Sequence, residues 1–400
     1  MKEAKSIIEA YRKVNFSTQK AALATVMRVH GSSYRRPGAR MLMTDDGRWT
    51  GAISGGCLEG DALRKARQAI LNNRPSLVTY DTMDDNSATS LGVGLGCNGI
   101  IDVLIEPINE LDIFNSIHLL EKFVEKGELA VMATVFDSSI AENPYQGQRF
   151  LLNGLGEKYS TIGHANLEEL IAADAQKAFV ANRPAICQYT VDDAMVEVLV
   201  ETLHPGIQLV IFGGGFDAAP VTSMAKNLGW AVTVTDDCIA HLGAKRFPDA
   251  ENVTLCQRDH VSTDIVFKRF SAAILMSHNY KYDYAVLKEL IKNPPAYLGI
   301  MGPKKRFDKM VDQLKEEGIY PGDAWAATVH SPIGLDLGAE TPDEIAFSVI
   351  AEIQAFFNNS KGGYLKHLDG PIHDRSAYDD RLLNNIYEQL NATSSKKGKA

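Results

Sequence analysis

The sequence has no apolar run long enough to cross a membrane, and its first residues, Met1-Lys-Glu-Ala-Lys-Ser, lack the apolar core of a secretion signal. It has no Cys-x-x-Cys pair, which argues against a structural zinc site. Its five cysteines, an odd number, are scattered over 400 residues, so we expect a reducing cytoplasm rather than a disulfide framework. A net charge of −9 argues against general nucleic-acid binding. No internal repeat is evident. We therefore expect neither a nucleic-acid nor a membrane partner.

What is present fits a globular protein of the α/β class. The chain is 45% hydrophobic and 23% charged, and its length suits two domains. His204-Pro-Gly206 is the best boundary signal. We predict a mixed α/β domain over residues 1–204, a second domain over 205–360, and a C-terminal extension over 361–400 whose Ser-, Lys- and Gly-rich end is disordered.

The stretch at residues 50–60, Thr-Gly-Ala-Ile-Ser-Gly-Gly-Cys-Leu-Glu-Gly, places one thiol among four glycines. The residues before it predict a short strand, and those after it predict a helix over 58–72. Cys57 would then lie at a helix N-terminus, where free N–H groups and the helix dipole favour a thiolate. Gly55 and Gly56 would let a ligand approach the backbone. A tight turn around a half-buried cysteine is the alternative interpretation.

Two further loops of the first domain could bind a ligand. A second glycine-rich run, residues 91–99, surrounds Cys97, and the two cysteine loops could face one pocket. The loop over residues 30–40 combines glycines and serines with side chains that bind phosphate as a bidentate fork, although a solvated loop is the alternative. Those side chains are Arg35, Arg36 and Arg40.

The second domain begins with the order strand, glycine turn, helix, strand, acid. The turn is Gly213-Gly-Gly-Phe-Asp-Ala218, with Gly213 and Gly215 at its first and third positions, and Asp236 follows the second strand. This order predicts a Rossmann-like doubly wound parallel sheet. A nucleotide would place its phosphates over the turn and its ribose near Asp236. The alternative is that the glycines serve packing alone.

Later segments of the second domain predict a basic loop near the glycine turn, a sixth strand and a helix cap. Gly302-Pro-Lys-Lys-Arg306 leads into a helix, so we predict that Lys304, Lys305 and Arg306 face the same crevice as the glycine turn. A sixth strand is predicted over Ala326–Val329. Thr341-Pro-Asp-Glu344 predicts a capping box at the start of the last helix.

Four short strings of the sequence, together with the glycine turn of the second domain, resemble the XdhC/CoxI family of accessory factors for xanthine and carbon monoxide dehydrogenases. The resemblance covers nearly the whole chain. It departs from many relatives at Cys238, which follows Asp236-Asp237 where they have Arg. The strings are Ser54-Gly-Gly-Cys-Leu-Glu59, Gly94-Leu-Gly-Cys-Asn-Gly99, Gly299-Ile-Met-Gly-Pro-Lys-Lys-Arg306 and His330-Ser-Pro-Ile-Gly-Leu-Asp336.

The resemblance implies a maturation chaperone rather than a turnover enzyme. Such a protein binds molybdenum cofactor (molybdopterin), supports its sulfuration with a cysteine desulfurase, and inserts it into a xanthine dehydrogenase-type hydroxylase. Cys57 and Cys97 would face the thiophilic molybdenum, Arg35, Arg36 and Arg40 the phosphate, and a cleft between the domains would exclude water. We expect a homodimer.

Two alternatives stay open at this point. One is an NAD(P)-dependent oxidoreductase using Gly213, Gly215 and Asp236, with His278 and His330 as its acid–base candidates. The other is a nucleotide-sensing Rossmann protein without catalysis.

Overall fold

The computed structural model describes residues 1–31, 34–81, 99–139, 143–182, 184–367 and 369. The described chain divides into two compact units, one holding Glu3–Pro205 and the other Gly206–Asp369. No helix within these ranges has the length and apolar character needed to cross a membrane.

The first unit repeats one order of elements, α-β-β-β-α-β-β. Its first half comprises α1 (Lys2–Tyr11), β1 (Ala21–Gly31), β2 (Arg40–Thr44), β3 (Trp49–Gly51), α2 (Glu59–Asn72), β4 (Ser76–Asp81) and β5 (Gly99–Ile108). Its second half comprises α3 (Ser116–Lys126), β6 (Ala130–Ser138), β7 (Arg149–Asn153), β8 (Lys158–Ser160), α4 (Ala165–Ala181), β9 (Ala185–Val191) and β10 (Ala194–Leu203).

Each half forms one antiparallel five-stranded sheet, and the two sheets have the same topology. The strand orders are β3-β2-β1-β5-β4 and β8-β7-β6-β10-β9. The unit is therefore an internal duplication, and the expectation of no repeat is wrong. Identical residues survive in corresponding strands, such as Ala24-Thr-Val26 and Ala133-Thr-Val135, and at backbone positions that need special geometry. The clearest are pairs with positive φ: Gly38 and Gly147 (87° and 85°), Gly47 and Gly156 (96° and 80°), and Asn73 and Asn182 (48° and 53°).

The two sheets pack face to face through apolar side chains from matching strands. Leu23 and Leu42 of one sheet meet Met132 and Leu151 of the other in a cluster that α1 and α3 complete. The outer faces are covered by α2 on the first sheet and α4 on the second. This layering explains why the central strands are buried on both faces.

Two buried ion pairs join the halves reciprocally. Arg40 at the start of β2 pairs with Glu201 of β10, and Arg149 at the start of β7 pairs with Glu106 of β5. All four side chains are at most 10% exposed. Each guanidinium also donates from Nη1 to a glycine carbonyl two residues earlier, at 2.7 Å in both halves. Since a buried charge without its partner is costly, these pairs specify how the two halves meet.

The second unit is a six-stranded sheet in which every pairing is parallel. Its strand order, β13-β12-β11-β14-β15-β16, is the doubly wound order, so the predicted Rossmann-like fold is confirmed. The elements are β11 (Gln208–Phe212), α5 (Ala218–Asn227), β12 (Ala231–Asp236), β13 (Asn252–Leu255), α6 (Val261–Asp264), β14 (Ser271–Leu275), α7 (Tyr280–Lys292), β15 (Tyr297–Ile300), α8 (Lys304–Glu316), α9 (Asp323–Ala326), β16 (Val329–His330) and α10 (Pro342–Phe357).

Of two predictions for the C-terminal part of this unit, the structure confirms one and shortens the other. The capping box of α10 is confirmed: Thr341 Oγ1 accepts from the N–H of Glu344, whose carboxylate accepts from the N–H of Thr341. The predicted sixth strand is only Val329–His330, because Ala326 ends a short helix. Thr328 Oγ1 donates to the carbonyl of Trp325 at 2.7 Å and closes that helical turn.

The reciprocal ion pairs predict matched costs of mutation. Arg40→Met and Arg149→Met should each lower the free energy of unfolding by about 3–5 kcal/mol, because each leaves a buried glutamate unpaired. Chemical denaturation measures this quantity. Arg48→Ala, which breaks an exposed pair with Asp46, should leave stability unchanged. A cost no larger than that of Arg48→Ala at either buried site would contradict the assignment.

Candidate functional site

The loop between β3 and α2 is wound around the carboxylate of Glu59, which is 5% exposed. Oε1 accepts the N–H groups of Ile53 and Ser54 at 3.2 and 2.8 Å. Oε2 accepts the hydroxyl of Ser54 at 2.5 Å and the N–H of Leu58 at 3.2 Å. Burial alone would raise the pKa of Glu59, but its hydrogen bonds outweigh burial and hold that pKa below its usual value. Glu59 is therefore an anion that shapes the loop.

Cys57 lies on this loop, one residue before Leu58, the N-cap residue of α2. It is partly exposed, and its Sγ is 3.6 Å from Ser54 Oγ. Ser54 Oγ also accepts the N–H groups of Gly56 and Leu58 at 3.2 and 3.1 Å. The thiol thus stands at the start of a helix, and its thiolate character stays a prediction.

The backbone beside Cys57 is open on one side. A Cβ placed on Gly56 would meet no described atom within 4 Å, and the three atoms nearest to one on Gly55 all belong to Tyr34, the first at 3.7 Å. Tyr34 is itself 75% exposed. Among the described residues, nothing therefore separates a ligand from the backbone of Gly56 and the exposed ring of Tyr34.

The second half of the unit has no such loop. Counted from the start of β8, Asn166 holds the position that Cys57 holds from the start of β3, and Asn166 lies inside α4. His164 caps that helix, with its Nδ1 accepting the N–H of Leu167 at 3.3 Å. The thiol loop is therefore a specialisation of the first half alone.

The three candidate arginines are not equivalent in the structure. Arg40 is buried and pairs with Glu201, so its donors are used inside the unit. Arg35 pairs with Glu3 of α1, donating from Nη2 to Oε1 at 2.5 Å. Arg36 is exposed. The sequence could not reveal the role of Arg40, because its partner lies in the other half of the duplication.

The other cysteines differ in environment. Cys187, expected to be buried and inert, is 1% exposed, and burial raises the pKa of its thiol to about 12. Burial likewise raises the pKa of Cys256 to about 11, whereas Cys238 is partly exposed. Cys97 lies outside the described residues. Within the described ranges, no group of three or more His, Cys, Asp or Glu residues is placed to hold a metal ion.

In the second unit, the glycine turn after β11 is filled by the protein's own atoms. A Cβ on Gly213 would lie 2.6 Å from the backbone of Ser277, and one on Gly214 would lie 2.6 Å from the carbonyl oxygen of His241. A Cβ on Gly215 would lie 2.5 Å from Asp217 Oδ1. Backbone packing therefore accounts for Gly213 and Gly214, whereas the atom that would meet Gly215 is the end of a side chain.

Asp236 is also engaged inside the fold, at 4% exposure. Its Oδ2 accepts the N–H of Gly214 at 2.9 Å and lies 3.1 Å from His241 Nδ1, and its Oδ1 accepts the N–H of Cys238 at 2.9 Å. A ribose hydroxyl would have to share these oxygens with their partners inside the fold. The carboxylate of Asp217, 2.7 Å from His278 Nε2, adds negative charge at the turn and opposes a phosphate there.

Lys304 and Arg306 follow the carboxyl end of β15, on the edge of the parallel sheet that also carries the glycine turn. Lys304 is exposed, whereas Arg306 donates to Asp283 Oδ2 at 2.8 Å. Asp283 is fully buried, and burial raises its pKa against the effect of these hydrogen bonds. Arg306 therefore neutralises an internal carboxylate. His330, the second acid–base candidate, is held by Glu352 through Nδ1 at 2.7 Å.

Comparison with known proteins adds two family matches. The XdhC and CoxI family model matches residues 17–81, and the XdhC Rossmann domain model matches residues 209–353. The chain belongs to the XdhC and CoxI family. The resemblance inferred from the cysteine loops and the fingerprint is thereby confirmed. The XdhC and CoxI match ends at Asp81, so it lies within the half that carries Cys57.

Relatives of this family member align over most of its length. It is 28% identical over 340 residues to a probable xanthine dehydrogenase subunit of Bacillus subtilis (strain 168), covering 84% of this chain and 92% of that protein. It is 20% identical over 334 residues to the molybdenum cofactor insertion chaperone PaoD of Escherichia coli (strain K12), covering 83% and 82%. A crystal structure described as a xanthine dehydrogenase from Bacillus halodurans matches with a TM-score of 0.70 at 26% identity, covering 89% of this chain and 97% of that one.

Because the glycine turn is packed against the protein's own atoms, we predict that nicotinamide dinucleotides do not stabilise the protein. NAD⁺ and NADP⁺ at millimolar concentration should leave the melting temperature unchanged, because both oxygens of Asp236 are engaged inside the fold and Asp217 repels phosphate. Differential scanning fluorimetry measures this directly. A clear rise in melting temperature with either dinucleotide would show that the turn opens to bind it.

Proposed function

We propose that this protein is an accessory factor that carries molybdenum cofactor to a xanthine dehydrogenase-type hydroxylase. Membership of the XdhC and CoxI family supports the proposal, as do the names of its relatives. The observation that carries it is the partly exposed thiol of Cys57 in an open glycine loop, which only one of two matching halves possesses.

The residues around this loop suit such a cargo. Molybdenum cofactor is a phosphorylated pterin whose dithiolene holds a thiophilic metal, and a thiol is a soft ligand for that metal. The exposed ring of Tyr34 beside Gly55 suits stacking with a pterin, and the exposed guanidinium of Arg36 suits its phosphate. Cys97 is the second proposed thiol, on the strength of the family resemblance.

The proposal also includes a partner enzyme and an oligomeric state. Sulfuration of the cargo would involve a cysteine desulfurase, and the assembly would be a homodimer, both as the family resemblance implies. The proposal does not require a nucleotide. The nicotinamide-dependent oxidoreductase gains no support from the second unit, where Asp236 and the turn glycines have internal partners.

Removing the thiol tests the proposal. Cys57→Ala should retain the fold but lose most of the bound molybdenum and pterin after anaerobic purification, and Cys97→Ala should lose less. Molybdenum is measured by elemental mass spectrometry, and pterin by fluorescence after oxidation.

Asn166→Ala is the matched control, since it changes the corresponding position of the second half and should retain full cofactor content. Equal retention by the wild type and Cys57→Ala would refute the role of this thiol.

A further inference from the structure

We propose that a groove between α1 and β3 binds a planar bicyclic heterocycle with an amino edge, the class to which pterins and guanines belong. Counting the described residues, the groove encloses about 350 Å³. Ser6, Glu9 and Lys13 line it from α1 and the turn that follows this helix, and Leu42 and Thr50 line it from the sheet. None of its lining residues belongs to the loop of Cys57, so the groove is a separate feature of the first half.

The second half shows what fills the corresponding space. In each half the middle residue of the outermost three-residue strand lies directly across from a leucine: Tyr159 from Leu151 in one, Thr50 from Leu42 in the other. Cross-strand partners present their side chains on the same face of a sheet. Both leucines belong to the apolar cluster between the two sheets, and Tyr159 packs against that cluster. Thr50 therefore leaves open, in the first half, the space that a phenol ring occupies in the second.

A lysine covers the ring in the filled groove, and a lysine also lines the open one. The ammonium of Lys122, in α3, lies 4.6 Å from the centre of the Tyr159 ring, a cation–π contact. Lys13 lines the groove of the first half, and no hydrogen bond or ion pair joins it to another residue of the described chain. An ammonium group without an anionic partner, beside a space of ring shape, suits a ligand with an aromatic face.

The size of the groove and its carboxylate narrow the class of ligand. An apolar cavity of about 150 Å³ is enough to bind benzene, so about 350 Å³ has room for two fused rings. Glu9 lines the groove and has no hydrogen-bond partner among the described residues. A carboxylate accepts from two N–H groups at once, and pterin and guanine share a ring edge that carries adjacent N–H donors. The groove therefore matches the face of such a heterocycle with Lys13 and its amino edge with Glu9.

The inference goes beyond the thiol loop but touches the same strand. β3 runs from Trp49 to Gly51, and the loop of Cys57 begins directly after it. If the ligand is the pterin of the cargo, the inference rests on the proposed function. A guanine compound would be a second ligand of the protein. The two sources share one ring edge, so binding experiments with each compound distinguish them.

The test is a titration of the purified full chain with 6-carboxypterin and, separately, with guanosine, followed by saturation-transfer NMR of the compound. The wild type should bind at least one of them. Thr50→Tyr should weaken that binding by about 10-fold or more, because the new ring takes the place of the ligand as Tyr159 does in the second half. Lys13→Ala should weaken it by about 2- to 5-fold, the value of one exposed cation–π contact. Lys122→Ala is the matched control and should leave binding unchanged.

The melting temperature separates a binding site from a packing defect. Thr50→Tyr should melt no lower than the wild type, since the ring fills the groove. A higher melting temperature without binding of either compound by the wild type would mean a packing defect and overturn the inference. Equal binding by the wild type and Thr50→Tyr would overturn it too. If Thr50→Tyr fails to fold, Lys13→Ala and Lys122→Ala decide the question, and equal effects of these two variants would reject the site.

The outcomes also keep this inference apart from the proposed function. Loss of molybdenum by Cys57→Ala, together with a wild type that binds neither compound, would keep the proposed function and reject the groove as a site. Equal molybdenum retention by the wild type and Cys57→Ala, together with binding that Thr50→Tyr abolishes, would do the reverse.

Discussion

The reciprocal Arg–Glu pairs are the constraint on which the first unit depends. Apolar contact between two sheets is not directional and tolerates sliding, whereas a buried guanidinium must meet its carboxylate. Arg40 and Arg149 meet theirs in opposite halves, so both contacts are satisfied in one arrangement of the sheets. Arg28 adds a link between the halves, donating to Asp102 at 2.7 Å and to Glu197 at 2.8 Å.

This constraint also explains where the thiol loop can form. Arg40 begins β2, and β2 pairs with β3, the strand from which the loop of Cys57 departs. The loop is then closed by Glu59 at the start of α2, which packs on the outer face of the same sheet. The loop is held by the sheet at one end and by the hydrogen-bonded carboxylate of Glu59 at the other. Few conformations therefore remain for the residues between β3 and α2. Precise placement of a single sulfur follows from both ends of the loop.

The helices and strands, and the fold of the second unit, could be predicted because the sequence patterns that indicate them span only neighbouring residues. The apolar run that starts at Ala21 forms β1. The segment with the order strand, glycine turn, helix, strand, acid begins a doubly wound sheet. The duplication had a weak sequence signal, since Ala24-Thr-Val26 recurs as Ala133-Thr-Val135, but most corresponding core positions hold different apolar residues, which pack equally well. The short sixth strand was misplaced because the turn closed by Thr328 depends on a side-chain hydrogen bond rather than on periodicity.

The candidate site was predictable in position but only partly in chemistry. The glycines and Cys57 are visible as a string, but the role of Arg40 depends on a glutamate far along the chain. Ser54 and Glu59 had no such signal, because their separation is not that of a capping box and the N-cap residue of α2, Leu58, makes no side-chain cap. Asp236 shows the converse, since its position is that of a ribose ligand while its oxygens hold the turn together.

The duplication has a consequence for how chains can exchange parts. Each half offers the other one arginine, one glutamate and one apolar sheet face, and these are the groups it needs in return. A first half would be satisfied equally well by the second half of another copy, provided that the connection between β5 and α3 opened. The fold therefore contains the requirements for a three-dimensional domain swap, in which two chains trade halves without creating a new type of contact.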